Sequence, residues 1–97
     1  MQETTVIRKF FKLNGRVQGI GYRMFVRDSA RDLKLCGWVH NLPGGAVEGE
    51  VQGKSDSVKA FLDELRSGNP LALVRELVAT DRPVADGETD FQIKFKL

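Results

Sequence analysis

The sequence predicts an α+β fold in which two helices cover one face of a mostly antiparallel sheet. Segments with strand and helix periodicity follow in the order β-α-β-β-α-β, with one extra strand at the end. Each predicted helix carries a single apolar stripe, as a helix that packs on a sheet should. The strand at 46–53 alternates between apolar or small residues and polar ones: Val47, Gly49 and Val51 against Glu48, Glu50 and Gln52. This alternation predicts a sheet with one apolar face and one wet face.

The first half of the chain supplies a strand, a helix and a hairpin. Val6 to Leu13 is rich in apolar, strand-favouring residues and is predicted as the first strand. Tyr22 to Leu35 has apolar residues at helical spacing, and Gly37 suits the end of this helix. Two further strands, Cys36 to Leu42 and Ala46 to Gly53, lie on either side of a Pro-Gly-Gly segment. That spacing predicts a hairpin with a short glycine-bearing turn.

The second half of the chain adds one helix and two strands. Ser55 to Ser67 is predicted as the second helix, with Ser55 as its N-cap and Gly68 as its end. Leu73 to Thr80 is predicted as a strand, and Phe91 to Leu97 alternates cleanly as a half-buried strand. The two βαβ units need right-handed crossovers, which places both helices on one face. The fold predicted is therefore the ferredoxin-like α/β sandwich, βαββαβ plus one strand.

Composition excludes several classes of function. Ninety-seven residues predict a single domain spanning 1–97, and a net charge of +2 is too small to predict nucleic-acid or membrane binding. One cysteine rules out an internal disulfide and a CxxC site, and one histidine disfavours a His/Cys metal cluster. The start of the chain lacks the basic and apolar regions of a signal peptide, so we expect a cytoplasmic protein.

The segment from Gly15 to Arg23, GRVQGIGYR, links the first strand to the first helix. Its three glycines allow a tight bend, and the helix that follows has unpaired N–H donors and partial positive charge at its N-terminus. Arg23 adds a full charge in the first helical turn. Together these features describe a site for phosphate or another small oxyanion. A tight connection with solvated arginines explains the local sequence equally well.

The hairpin segment Gly-Trp-Val-His-Asn, residues 37–41, contains two polar residues with different expectations. Alternation places Val39 and Asn41 on one face and Trp38 and His40 on the other. If Val39 faces the helices, Asn41 does too, although an Asn before Pro-Gly-Gly is also an ordinary turn-starting residue. His40 is predicted to be a surface residue, because no positioned carboxylate is evident beside it.

These two segments, 15–23 and 37–41, resemble the two signature motifs of the acylphosphatase family in order, spacing and surroundings. The likeness extends over essentially the whole chain. Two departures are small: His40 stands where the family often has another basic or polar residue, and Pro43-Gly44-Gly45 replaces a turn that often carries Asp-Gly. Neither departure removes a residue to which the family's chemistry is assigned.

The resemblance implies hydrolysis of the carboxyl–phosphate bond of small acyl phosphates by a cytoplasmic monomer, without metal or organic cofactor. Arg23 would bind the phosphate and Asn41 would orient the attacking water. Backbone N–H groups of the loop would complete the phosphate site, namely those of Arg16, Val17, Gln18, Gly19, Ile20 and Gly21. Inorganic phosphate, the product, would act as an inhibitor.

Two other functions remain open on this fold. A non-catalytic module could use the same loop to bind an anion or an acyl phosphate. An RNA-binding domain could stack bases on Phe10 and Trp38, but Glu48 and Glu50 on the third strand would repel a phosphate backbone. The expected partner is therefore a small molecule, with no nucleic acid and no membrane.

Overall fold

The computed structural model describes residues 5–18 and 21–95. Its elements are β1 (Val6–Arg16), α1 (Tyr22–Asp32), β2 (Cys36–Asn41), β3 (Val47–Lys54), α2 (Ser55–Ser67), β4 (Leu73–Arg82) and β5 (Phe91–Ile93). None of the helices in these ranges is long and apolar enough to cross a membrane.

The five strands form one sheet in the order β4-β1-β3-β2-β5. All neighbours are antiparallel except β2 and β5, which run parallel. The predicted ferredoxin-like α+β fold is confirmed, including the additional strand. Because β1, β2 and β5 point the same way, their carboxyl ends meet at one end of the sheet. The glycine loop, Asn41 and the segment after β5 are therefore brought together there.

The core lies between the sheet and both helices. The rings of Phe11 on β1 and Phe61 on α2 are fully buried and meet edge to face, with centroids 5.5 Å apart. Tyr22 at the start of α1 is 1% exposed, and its hydroxyl donates a 2.7 Å hydrogen bond to the Leu65 carbonyl of α2. Burial raises the pKa of the Tyr22 hydroxyl, so it remains a donor. This bond fixes the first turn of α1 against the second helix.

The helix boundaries correct two predictions. The first helix ends at Asp32 and not at Leu35, because Lys34 adopts φ 59° and Leu35 N–H returns to the Ala30 carbonyl at 2.9 Å. Gly37 does not end this helix, since it lies within β2.

The second helix spans the predicted residues, but its start differs. Lys54 occupies the N-cap position and no side chain caps the helix. Ser55 is the first helical residue, and its backbone N–H donates to the Thr5 carbonyl at 2.9 Å. The backbone of Thr5, just before β1, therefore takes over the capping role predicted for the Ser55 hydroxyl. The final strand is also shorter than predicted, ending at Ile93 and not at Leu97.

Alternation predicted that the face of the sheet opposite the helices is exposed to water. In the structure, part of this face is covered. Arg8 is 6% exposed, and its guanidinium binds Glu50 at 2.6 Å and Glu88 at 2.7 Å. Beside it the Gln52 amide exchanges two hydrogen bonds with the backbone of Ala85, at 2.8 and 2.9 Å. The loop between β4 and β5 thus folds over this face. Burial opposes the charge of Arg8, but its hydrogen bonds with Glu88 and Glu50 raise the pKa of the guanidinium above its ordinary value.

The surface position predicted for His40 is wrong. The residue is 3% exposed, and its Nε2 lies 3.0 Å from a carboxylate oxygen of Glu48 on the adjacent strand. The ring of Trp38 packs beside it with centroids 5.0 Å apart. Sequence reasoning missed the carboxylate because Glu48 is eight residues away and meets His40 only through the pairing of β2 with β3.

Candidate active site

The glycine loop begins where β1 departs from regular pairing. The register of β1 with β4 shifts between Asn14 and Gly15, and Gly15 has φ 140°. A Cβ atom at Gly15 would lie 1.9 Å from the Leu73 carbonyl oxygen of β4. Only glycine fits this close approach, so Gly15 allows the bulge that directs the chain into the loop.

The backbone N–H groups in the first turn of α1 receive neither a side-chain cap nor a nearby acidic residue of that turn. Its N-cap is Gly21 in the left-handed conformation, φ 74° and ψ 21°, with no side-chain cap and no acidic residue in the first turn. The first N–H groups of the helix and its dipole therefore favour an anion. Arg23 lies in this turn and is half-buried, with its guanidinium 5.1 Å from the centroid of the Phe95 ring. That cation–π contact holds the guanidinium at the end of the helix.

Asn41 reaches the same place from the sheet. It ends β2, two residues after the fully buried Val39, and therefore lies on the helix-covered face, as alternation predicted. Asn41 and Arg23 line one cavity of about 200 Å³. The Asn41 Oδ1 atom is buried and accepts no hydrogen bond from the described residues. A buried polar atom without a protein partner at a cavity wall is suited to hold a ligand or a water molecule.

Gln18 joins the glycine loop to the hairpin that carries Asn41. Its Nε2 donates to the carbonyls of Leu42 at 3.0 Å and Ala46 at 2.9 Å, one on each side of the turn. Sequence reasoning assigned only the backbone N–H of this residue and missed the side-chain clamp. The only indication of this clamp in the sequence was a residue with two N–H donors inside a glycine loop. The acceptors could not be identified, because they lie 24 and 28 residues further along the chain.

Only some of the other predicted loop residues line this cavity. Val17 is 1% exposed and lines the cavity, as Gly21 does. Arg16 is the exposed last residue of β1, opposite Leu73, and is outside the cavity lining. Gly19 and Ile20 lie outside the described residues. The structure therefore brings Arg23, Asn41, Gln18, Val17 and Gly21 together around one cavity.

A larger cavity of about 450 Å³ lies at the opposite end of the sheet, where Arg31, Asp90 and Glu88 are already engaged in ion pairs. The pKa of the Asp90 carboxyl is lowered by a hydrogen bond from the Phe91 backbone N–H and by a two-pronged ion pair with Arg31 at 3.0 and 2.9 Å. Cys36 also lines this cavity, and burial raises the pKa of its thiol, which makes it a poor nucleophile. In the ranges 5–18 and 21–95, no group of three His, Cys, Asp or Glu residues is placed to hold a metal ion.

Comparison with known proteins agrees with the motifs and the fold. The Acylphosphatase family profile matches residues 9–93. An acylphosphatase of Clostridium beijerinckii is 43% identical over 90 residues, which cover 93% of this chain and 100% of the relative. One of Moorella thermoacetica is 44% identical over 91 residues, covering 93% and 96%. The structure of an acylphosphatase from Coxiella burnetii matches with a TM-score of 0.87 at 32% identity, over 97% of this chain and 100% of the other. The chain therefore belongs to the acylphosphatase family.

Proposed function

We propose that this chain, as one domain and as a cytoplasmic monomer, hydrolyses small acyl phosphates to a carboxylate and inorganic phosphate. The observation that carries the proposal is the single cavity that joins Arg23, the uncapped start of α1 and the buried amide oxygen of Asn41. The first two bind a phosphoryl group, and the third accepts a hydrogen bond from a water molecule. Such an arrangement is suited to attack of water on phosphorus.

The reaction needs few protein groups. The leaving group is a carboxylate whose conjugate acid has a pKa of about 4, so it departs without a general acid. Phosphoryl transfer passes through a loose transition state, in which positioning and charge stabilisation supply most of the catalysis. Donors fixed in advance around the phosphoryl oxygens stabilise that charge without reorganising during the reaction. We propose that the attacking water transfers its proton to the phosphate of the substrate.

Arg23 is assigned to the phosphoryl oxygens. Its planar guanidinium matches the geometry of a phosphate, and its position in the first turn of α1 adds to the field of the helix N-terminus. Backbone N–H groups of the loop residues Arg16, Val17, Gln18, Gly19, Ile20 and Gly21 are proposed to bind the remaining phosphate oxygens. Inorganic phosphate would occupy the same donors and inhibit competitively.

Asn41 is assigned to the attacking water. An amide oxygen accepts a hydrogen bond and directs the water lone pair, but it is too weak a base to remove the proton. Because Asn41 ends β2, which has a neighbouring strand on each side, its position is rigid relative to α1. This rigidity favours one angle of attack on a phosphoryl group held by Arg23.

The decisive experiment is hydrolysis of benzoyl phosphate in the presence of EDTA. We expect turnover by the wild type without added metal, inhibited by inorganic phosphate. A folded wild-type protein that binds phosphate but does not turn over benzoyl phosphate would instead be a non-catalytic anion-binding module. Turnover that EDTA abolishes would contradict the proposed metal-free reaction.

The Gln18 clamp leads to a separate prediction. In Gln18→Glu the shape is kept, but a carboxylate replaces the two donors that bind the Leu42 and Ala46 carbonyls. We expect kcat to fall by about 10²-fold, because the loop and the hairpin lose their fixed separation. Gln92→Glu is the matched control, since Gln92 is an exposed residue of β5.

A purely structural role for Gln18 predicts another result. Loss of stability alone would lower the fraction of active enzyme, and the inhibition constant of phosphate measured on the folded fraction would be unchanged. A positioning role predicts weaker phosphate inhibition together with the lower kcat. Normal kcat in a folded Gln18→Glu protein would show that the clamp does not position the site.

A further inference from the structure

The cavity that contains Arg23 and Asn41 has an apolar wall to which no function has yet been assigned. Its polar side chains are Gln18, Arg23 and Asn41 together with the Tyr22 hydroxyl, which is engaged elsewhere. The remaining side chains have no hydrogen-bonding group of comparable strength: Val17, Met24, Ile93 and Phe95. Met24 is 54% exposed and Phe95 is 79% exposed. Exposed apolar side chains beside fixed polar groups are typical of a ligand site.

The apolar wall comes from two elements that line the same cavity as Arg23. Met24 follows Arg23 on α1, while Ile93 and Phe95 come from the end of β5 and the residues after it. The Arg23 guanidinium lies over the ring of Phe95, 5.1 Å from its centroid. A group covalently attached to a phosphate on Arg23 would therefore begin beside this wall.

The cavity has room for more than a phosphate ion. Its volume is about 200 Å³, which is more than a phosphate ion occupies. The space left over is suited to a short chain. Met24, Ile93 and Phe95 have neither a charge nor a strong hydrogen-bond donor, so a carboxylate on that chain would gain no ion pair from this wall.

We propose that Met24, Ile93 and Phe95 form the subsite for the acyl group, and that the enzyme selects acyl phosphates with a short, uncharged, apolar acyl chain. This inference rests on the proposed function and adds the class of substrate to it. Binding energy gained by the acyl group in the transition state would appear in kcat/KM. The subsite determines specificity, whereas Arg23 and Asn41 act on the reacting atoms.

A homologous substrate series tests the subsite without changing the chemistry. Acetyl, propionyl and butyryl phosphates have leaving groups of nearly the same acidity, so their kcat/KM values report contacts of the chain. We expect kcat/KM to rise about fourfold per methylene, or roughly sixteenfold from acetyl to butyryl phosphate. Succinyl phosphate, with a similar chain that ends in a carboxylate, should be hydrolysed at least about tenfold less efficiently than butyryl phosphate.

Two variants locate the effect. Met24→Gln keeps the length of the side chain and makes it polar, and Phe95→Ser removes the ring; both should reduce the butyryl-to-acetyl ratio to about half or less of its wild-type value. Leu71→Gln is the control, because Leu71 is also exposed, at 67%, but lies outside the cavity. Its ratio should equal that of the wild type.

The outcomes separate the two proposals. A wild type that hydrolyses the three substrates equally well, or a ratio that both variants leave unchanged, overturns the acyl subsite while the hydrolase stands. A preference for succinyl phosphate also overturns it. A folded wild type that hydrolyses none of the substrates overturns the proposed function and the subsite together.

Discussion

Replacing Arg23 by alanine is expected to lower kcat/KM for benzoyl phosphate by at least about 10²–10³-fold, the typical effect of losing one preorganised donor to a developing charge. The expected loss is this large because the guanidinium supplies both a full charge and a fork of donors at the start of α1. Inhibition by inorganic phosphate should weaken in parallel. Steady-state kinetics with phosphate as a competing ligand measures both effects.

The controls distinguish a lost site from a lost fold. Arg27→Ala removes the same charge from the next turn of α1, where the guanidinium pairs with Asp28 at 3.1 Å, and should retain nearly full activity. Arg23→Lys keeps the charge but not the fork and should fall between wild type and Arg23→Ala. Unchanged kcat/KM in a folded Arg23→Ala protein would overturn the assignment of the phosphate site.

Asn41→Ala is expected to lower kcat by about 10²-fold while KM and phosphate inhibition change little. The reason is that the Asn41 oxygen is proposed to hold the water and not the substrate. Asn41→Asp has the same shape but places a negative charge opposite the phosphoryl group, so it should also raise KM. Kinetics over a range of substrate concentrations separates these effects.

The matching control for Asn41 is Asn14→Ala. Asn14 lies on β1, where its exposed amide donates to Glu76 at 3.2 Å, and its loss should leave kcat unchanged. If Asn41→Ala raised KM sharply with kcat unchanged, Asn41 would be a binding residue and the water would have to be oriented by another group.

Much of this fold could be predicted because local periodicity and tertiary packing agree. The α2 helix matches its predicted span, Ser55 to Ser67, since its apolar stripe and the Gly68 that follows indicate the same boundaries. The shared face of Val39 and Asn41 followed from strand alternation alone. The end of α1 could not be predicted in this way, because Lys34 adopts a left-handed conformation that sequence preferences disfavour for lysine.

The burial of Arg8 and His40, on the face of the sheet opposite the helices, could not be predicted for a different reason. Alternation shows which face Arg8 and His40 occupy, but not whether another segment covers that face. The cover depends on contacts with residues far along the chain, such as Arg8 with Glu88 at a separation of 80 residues. Similarly, the predicted site contained Arg23 and Asn41 but not Phe95, because the contact of Phe95 with Arg23 exists only once β5 has paired.

The parallel pairing of β2 with β5 has a consequence for how the enzyme acquires activity. Residues 37–39 of β2 pair with residues 91–93 of β5. The part of the site that contains Phe95 therefore forms only when residues far apart in the chain have come together. Such non-local contacts form slowly compared with helices and hairpins. A refolding chain could therefore regain its helical circular dichroism before Phe95 reaches Arg23. The recovery of activity on a short apolar substrate would then report the completion of folding, whereas circular dichroism would report only the formation of secondary structure.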